Sequence, residues 1–275
     1  MTDRYAVIGN PVAHSQSPQI HAEFARQTGQ DIVYDRLPAP LDGFEATARQ
    51  FFSAGGKGLN VTLPFKHEAW KLVDKHDNSA RDAGAVNTIT LEGDKRVGYN
   101  TDGIGLVTDI RQSFGYQITG KRVLLMGAGG ATYGVMHPIL EQRPDLLVVA
   151  NRTVSKAISL VKHFQNHGKF ALHGISAKSY KDLAGAQFDL VINATSAGLS
   201  GEMPPLPEPV FAPEALAYDM VYGRDTPFLQ FARRHGVRTA DGLGMLVEQA
   251  AESFFIWRGV RPQTAPVIGM LRHET

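Results

Sequence analysis

The stretch with the clearest capacity for chemistry is VLLMGAGGATYG, residues 123–134. Its four apolar residues read as a strand buried on both faces. Gly127, Ala128, Gly129, Gly130 and Ala131 then make a tight turn, and Val135, Ile139 and Leu140 follow at helical spacing. Strand, glycine turn and helix start make the phosphate end of a dinucleotide site. The bare backbone lets a pyrophosphate approach, and free N–H groups at the helix start point at the anion. Gly127 and Gly129 fit the G-x-G-x-x-G spacing, but Thr132 stands at the third glycine. Taken alone, the pattern fits a plain strand–turn–helix corner equally well. The next strand, Leu146–Ala150, runs into Asn151-Arg152-Thr153, with Lys156 one turn later. An NAD site would place Asp or Glu here to accept from the ribose 2′-hydroxyl. Arg152 can instead bind a 2′-phosphate, which a carboxylate would repel. Asn151 and Thr153 add neutral donors. The cofactor read from these residues is NADP; the alternative is a solvated arginine with Thr153 capping the next helix.

A second set lies nearer the N-terminus. In NVTLPFK (60–66) a strand ends in polar residues, and a helix is expected from Pro64 with Lys66 in its first turn. A cation there opposes the helix dipole, and the same field eases release of its proton, which suits a proton donor. An ordinary surface lysine is the alternative. Asp102, in Thr101-Asp102-Gly103, reads as a helix N-cap, and Asn87, in GAVNT, as a turn residue. Ser17 before Pro18 reads as an N-cap with proline at the first helical position, and Ser15 as its neighbour. The 10 histidines show no zinc spacing; His163 and His167 read as a solvated helix face, and no metal is expected.

These residues need a scaffold, and the chain supplies strands and helices in alternation. The first part reads as strands at 5–8, 32–37 and 58–61 and a hairpin at 86–91 and 96–99, with helices near 17–29, 44–54 and from 64. A helix over Gly103–Phe114 leads into the strands Arg122–Met126, Leu146–Ala150, Phe170–Gly174, Phe188–Ile192, Leu216–Met220 and Val237–Ala240. Thr226 and Pro227 open a further helix, and Pro138 falls inside the first helix of this half. The stretch 203–214 reads as a proline-rich surface loop. Leu243 to Trp257 form a broad apolar helical face, and a short helix closes the chain from about Ala265. The fold class is α/β in two domains, expected at 1–102 with 242–275, and at 103–241.

Composition narrows the classes. A hydrophobic fraction of 43% supports a core, and a net charge of +1 without charge runs gives no sign of nucleic acid or an anionic membrane. With no cysteine there is no disulfide and no thiolate chemistry. The start, MTDRYAVIGNP, lacks the pattern of a signal peptide, and no apolar run reaches a membrane span, so a cytoplasmic protein is expected. The oligomeric state, monomer or homodimer, stays open.

Together the motifs resemble the shikimate dehydrogenase family. They are GNPVAHSQSP (9–18), NVTLPFK (60–66), GAVNT (84–88), YNTDG (99–103), GAGGA (127–131), NRT (151–153), NATSAG (193–198), DMVY (219–222) and DGLGMLVEQA (241–250). The resemblance implies reversible NADPH-linked reduction of 3-dehydroshikimate to shikimate, a step toward chorismate and the aromatic amino acids. It also implies a substrate-binding domain, a Rossmann-type NADP domain and an active-site cleft between them. Carried onto this chain, Lys66 and Asp102 become the catalytic pair. Ser15 and Ser17 take the substrate carboxylate, and Thr62, Asn87, Gln249 and Tyr222 the rest of the substrate. Thr195, Met220, Gly242, Gly244 and Met245 join the cofactor side. Two readings compete: a quinate/shikimate dehydrogenase of relaxed specificity, and a non-catalytic NADP-binding regulator.

Overall fold

The computed structural model describes residues 2–167 and 174–274. In chain order the first elements are β1 (Asp3–Gly9), α1 (Ser17–Thr28), β2 (Ile32–Pro38), α2 (Phe44–Ser53), β3 (Gly56–Val61), α3 (Lys66–Leu72), β4 (Lys75–His76), α4 (Asn78–Ala83), β5 (Thr88–Glu92), β6 (Lys95–Tyr99) and α5 (Asp102–Gln112). Then come β7 (Arg122–Met126), α6 (Gly130–Glu141), β8 (Leu146–Ala150), α7 (Val154–His167), β9 (Ile175–Lys178), β10 (Phe188–Asn193), β11 (Phe211–Asp219), α8 (Pro227–Arg234) and β12 (Arg238–Ala240). Helices α9 (Leu243–Arg258) and α10 (Ala265–Glu274) end the chain. Two compact units result: Met1–Gly105 with Leu246–Thr275, and Leu106–Met245. The motifs suggest divisions at 102/103 and 241/242. The compact units part slightly later, inside α5 and α9, because Leu106, Val107, Ile110 and Met245 pack into the core of the second unit.

The first unit has a mixed sheet of order β2-β1-β3-β5-β6-β4. β1 runs parallel to β2 and β3, while β5 runs antiparallel to β3 and β6. The second unit has an all-parallel sheet of order β12-β11-β10-β7-β8-β9. Counted from β7, that is the 3-2-1-4-5-6 order of a doubly wound dinucleotide fold, which reverses between β7 and β10. Val123, Leu124, Leu125 and Met126 are all fully buried, as a central strand covered on both faces requires.

Several local expectations change. The first helical bond of α1 runs from Ile20 N–H to Gln16 O, so Gln16 is the cap residue and Ser17 lies inside the helix. Pro64 precedes α3 rather than opening it: Phe65 N–H closes a turn onto Thr62 O, and the helical ladder starts with Ala69 N–H to Phe65 O. The supposed loop at 203–214 already contains the start of β11. Its register against β10 shifts between Phe211 and Leu216, and this bulge accommodates Pro213 and a left-handed Glu214 at φ 60°. His163 is half-buried against Tyr133 and Phe164 instead of facing water. Most of the strand expected at Phe170–Gly174 lies outside the described residues. Pro138 does fall within α6, and Thr226 caps α8 by accepting from Leu229 N–H at 3.3 Å. Among the described residues no helix is long and apolar enough to cross a membrane.

Inside the first unit His21 of α1 is fully buried, stacked 4.2 Å from Tyr34 and flanked by Phe24, Phe254 and Trp257. Neither ring nitrogen has a partner of good hydrogen-bond geometry, and burial, only partly offset by the neighbouring Asn60 amide, drives the pKa from its usual 6.5 down to about 3. The unfolded chain therefore binds a proton between those values that the folded chain refuses. Stability is complete above about pH 6.5 and falls by about 1.4 kcal/mol per unit below it. At pH 5 the loss due to His21 should be about 2 kcal/mol. Urea unfolding at pH 7 and pH 5 checks this, since His21→Leu should flatten the difference; an unchanged slope would put the acid sensitivity elsewhere.

Candidate active site

Sheet topology assembles the first set of residues. Ile8 of β1 lies opposite Val61 of β3, Asn60 opposite Thr88 of β5, and Thr88 opposite Tyr99 of β6. The carboxyl ends of β1, β3 and β6 and the amino end of β5 therefore meet along one edge. The segments leaving that edge carry Ser15, Ser17, Thr62, Lys66, Asn87 and Asp102.

Lys66 Nζ donates to Asp102 Oδ2, and the two side chains keep 26% and 13% of their surface. Asp102 Oδ1 accepts from Asn87 Nδ2 at 2.8 Å. Asp102 is not the cap of α5: it is the first helical residue, and its own N–H donates to Asn100 Oδ1 at 3.1 Å. Nor is Asn87 merely a turn residue, because its Oδ1 accepts from Thr101 N–H at 2.9 Å. Gln249 of α9 joins through Thr101, whose hydroxyl stands 3.3 Å from Gln249 Oε1. Thr62 is partly exposed just past β3 and donates its N–H to Ile8 O at 3.0 Å. The Ser15 and Ser17 hydroxyls are 3.1 Å apart, and Ser15 O is held by Arg36 at 2.6 and 3.0 Å. Ser17 also lies against the phenol of Tyr34. The arrangement is a paired lysine with a proton to give, surrounded by hydroxyls and amides suited to a small oxygen-rich molecule.

The second set surrounds a cavity of about 490 Å³ beyond the carboxyl ends of β7, β8 and β10, at the switch point of the sheet. Gly127, Ala128, Gly129, Gly130 and Ala131 form one wall; Asn151, Arg152, Thr153, Lys156 and Thr195 form others. Gly127 adopts φ +106°, and a side chain there would press on the Ala194 carbonyl, so glycine alone closes this turn. A methyl on Gly129 would meet nothing within 4 Å, leaving open space beside the start of α6. No side chain caps that helix, so its first N–H groups face the space where an anion would sit. With Arg152 and Lys156 opposite, this donor set fits NADP.

Tyr180, Ser196, Ser200, Glu202 and Met203 also line the cavity, and the sequence motifs miss them. Tyr180 sits near Arg152, and burial outweighs that charge to push its phenol up to about 12. Met220, Gly242 and Met245 do not line the cavity. Gly242 packs on the Met220 carbonyl beyond β11 and β12, and Met245 is buried in the core. Gly244 is packed on Asp109, which also accepts from Tyr218 O–H at 2.7 Å. Tyr222 follows β11, with its phenol pushed up by burial. In the first unit, the missed residues are Tyr34, Asn60, Thr101 and Ser253. Asn60 and Thr101 stand inside quoted motifs. Ser253 carries a readable signal, a lone hydroxyl on an otherwise apolar helix face.

Three family models match: "Shikimate dehydrogenase substrate binding domain" at residues 7–89, "Shikimate / quinate 5-dehydrogenase" at 109–200 and "Shikimate 5'-dehydrogenase C-terminal domain" at 242–270. The shikimate dehydrogenase (NADP(+)) of Alkalilimnicola ehrlichii is 56% identical over 276 residues, all of both chains. The chain belongs to the shikimate dehydrogenase family. Among solved structures, an Ael1 enzyme from Pseudomonas putida superposes with a TM-score of 0.92 at 47% identity over 98% of each chain. A shikimate 5-dehydrogenase from Thermus thermophilus, in complex with NADP(H) and shikimate, gives 0.87 at 30% identity over the full length of both. Shikimate dehydrogenase relatives thus match the chain from end to end.

Proposed function

We propose that the chain catalyses the reversible NADPH-dependent reduction of 3-dehydroshikimate to shikimate, with Lys66 and Asp102 as its catalytic pair. The observation that carries this reading is the Lys66–Asp102 ion pair, held at Asp102 Oδ1 by Asn87, in a chain whose full-length relatives are NADP-dependent shikimate dehydrogenases. NADP would rest its phosphates on Gly127–Ala131 and the start of α6, and its 2′-phosphate on Arg152 with Lys156. When bound, it supplies the hydride. Lys66 gives a proton to the substrate oxygen as charge develops there and takes it back in the reverse direction. Asp102 fixes the ammonium and compensates its charge. Ser15 and Ser17 bind the substrate carboxylate, and Thr62, Asn87, Gln249 and Tyr222 take the remaining oxygens. The reaction belongs in the cytoplasm.

Reduction of NADP⁺ with shikimate is the direct test, with quinate and NAD⁺ as controls. Turnover of quinate at a comparable rate would favour the relaxed-specificity reading, and no turnover of either would leave a regulator. Ser15→Ala and Ser17→Ala should raise KM for shikimate severalfold without changing KM for NADP⁺. Ser17 is not the cap of α1, so its loss should leave Tm nearly unchanged. A Tm drop with KM unaltered would make Ser17 a purely structural residue.

A further inference from the structure

A buried hydrogen-bond chain leads from the paired serines to the far side of Asp102. Tyr34 O–H donates to Asn60 Oδ1 at 2.7 Å. Asn60 Nδ2 donates to Thr88 Oγ1 at 3.1 Å and also faces the main-chain Asn87 O at 3.3 Å and Ser253 Oγ at 3.0 Å. Thr88 O–H donates to Asn87 Oδ1 at 2.9 Å, and Asn87 Nδ2 donates to Asp102 Oδ1 at 2.8 Å.

Two backbone groups fix the orientation of both amides in this chain. Asn87 O can only accept, so the amide nitrogen of Asn60 must turn toward it and the amide oxygen toward Tyr34. Thr101 N–H can only donate, so Asn87 must present its oxygen there and its nitrogen to Asp102. Both amides therefore point their N–H groups toward the carboxylate, and between them the Thr88 hydroxyl lies 2.9 Å from Asn87 Oδ1 and 2.8 Å from Ser253 Oγ, a network whose linked bonds reinforce each other.

We infer that Tyr34 is a positioning residue for the catalytic pair: its hydroxyl locks the Asn60–Thr88–Asn87 chain that holds Asp102 against Lys66. The inference rests on the proposed role of that pair. Tyr34 is buried, and its ring is held by the neutral His21 stacked on it, so the hydroxyl has little freedom to turn away. Removing that hydroxyl takes away the donor Asn60 Oδ1 has in this buried site, and the amide must then swing toward another, such as the neighbouring His21 ring. The Asn87 contact to Asp102 loosens as a result. Because Ser17 also lies against the phenol, one hydroxyl joins the proposed carboxylate site to the proposed proton donor.

Tyr34→Phe deletes a single oxygen and leaves the stacked ring. With shikimate and NADP⁺ both saturating, kcat should fall about tenfold while KM for NADP⁺ stays unchanged, the size of loss expected from a small misplacement of a catalytic group. Thr88→Val cuts the chain at its middle and should lose a similar factor. The Tyr34→Phe/Thr88→Val double variant should be no worse than the poorer single variant. In an Asp102→Asn background, Tyr34→Phe should change the residual kcat by less than about twofold. A normal kcat in Tyr34→Phe, or losses that multiply with either partner, overturns the inference. If Tyr34→Phe fails to fold, the Thr88→Val and Asp102→Asn cycle decides the matter by the same criterion. Failure of the catalytic-pair reading looks different: unmodified protein would not oxidise shikimate, or Asp102→Asn would retain full activity.

Discussion

Lys66→Ala is expected to lower kcat by roughly 10²–10⁴-fold, the usual worth of positioned acid–base help. KM for shikimate should change much less, because the proton is needed most in the transition state. Asp102→Asn should also lose kcat. It keeps an oxygen for Asn87 to donate to but gives up the charge that faces Lys66, leaving a half-buried ammonium without its counter-ion. The two losses should not multiply, since each residue acts through the other. A double-mutant cycle on kcat/KM at saturating NADP⁺ measures this. Near-normal turnover of Lys66→Ala would mean that water or another side chain supplies the proton. Cleanly multiplying losses would mean that Lys66 and Asp102 act separately.

Arg152→Ala should weaken NADP⁺ binding by about 10–150-fold, the equivalent of ~1.5–3 kcal/mol for a hydrogen bond to a charged group. NAD⁺ binding should hardly move, since it has no 2′-phosphate for Arg152 to hold. Titration of each cofactor against the purified protein gives both numbers. Equal losses for the two cofactors would show that Arg152 supports the cavity wall, for instance through Tyr180 beside it, rather than reading the phosphate. Lys156 also lines the cavity and should preserve a residual preference for NADP⁺ in the variant.

The parallel sheet of the second unit was legible because most of its strands report themselves locally, the exception being β9 at Ile175–Lys178, just past the strand expected at Phe170–Gly174. VLLM and LLVVA are strands buried on both faces, and the glycine turn has to follow the first of them. Cap positions were less legible. Gln16 and Thr101 hold the cap positions that Ser17 and Asp102 were expected to hold, and Phe65 caps a helix expected to open at Pro64; a shift of one or two residues leaves almost no trace in composition. The bulge in β11 was hidden by its prolines, which read as loop until the pairing with β10 is known. The cavity residues Tyr180 and Glu202 were not legible at all, because they come from connections whose course depends on the sheet. The Tyr34–Asn60–Ser253 contacts span a strand, a second strand and the penultimate helix, and only tertiary structure relates them.

The final helices of the first unit carry a consequence for the order of synthesis. Trp257 stacks 4.6 Å from Tyr5 and donates to Ile89 O at 3.1 Å, while Arg258 reaches Asp3 and Gln30. Ser253 and Gln249, which touch Asn60 and Thr101, lie on the same helix. A ribosome completes this helix, and the helix makes its contacts with the first unit, only after the entire Leu106–Met245 unit has been translated. The nascent chain therefore holds every residue of the glycine-turn cavity while the sheet that opened the chain still waits for its closing helix. Domains tend to fold as units while they are being made, so the middle of this chain can be in place before either end. The catalytic pair acquires its full set of neighbours only in the last stage of synthesis.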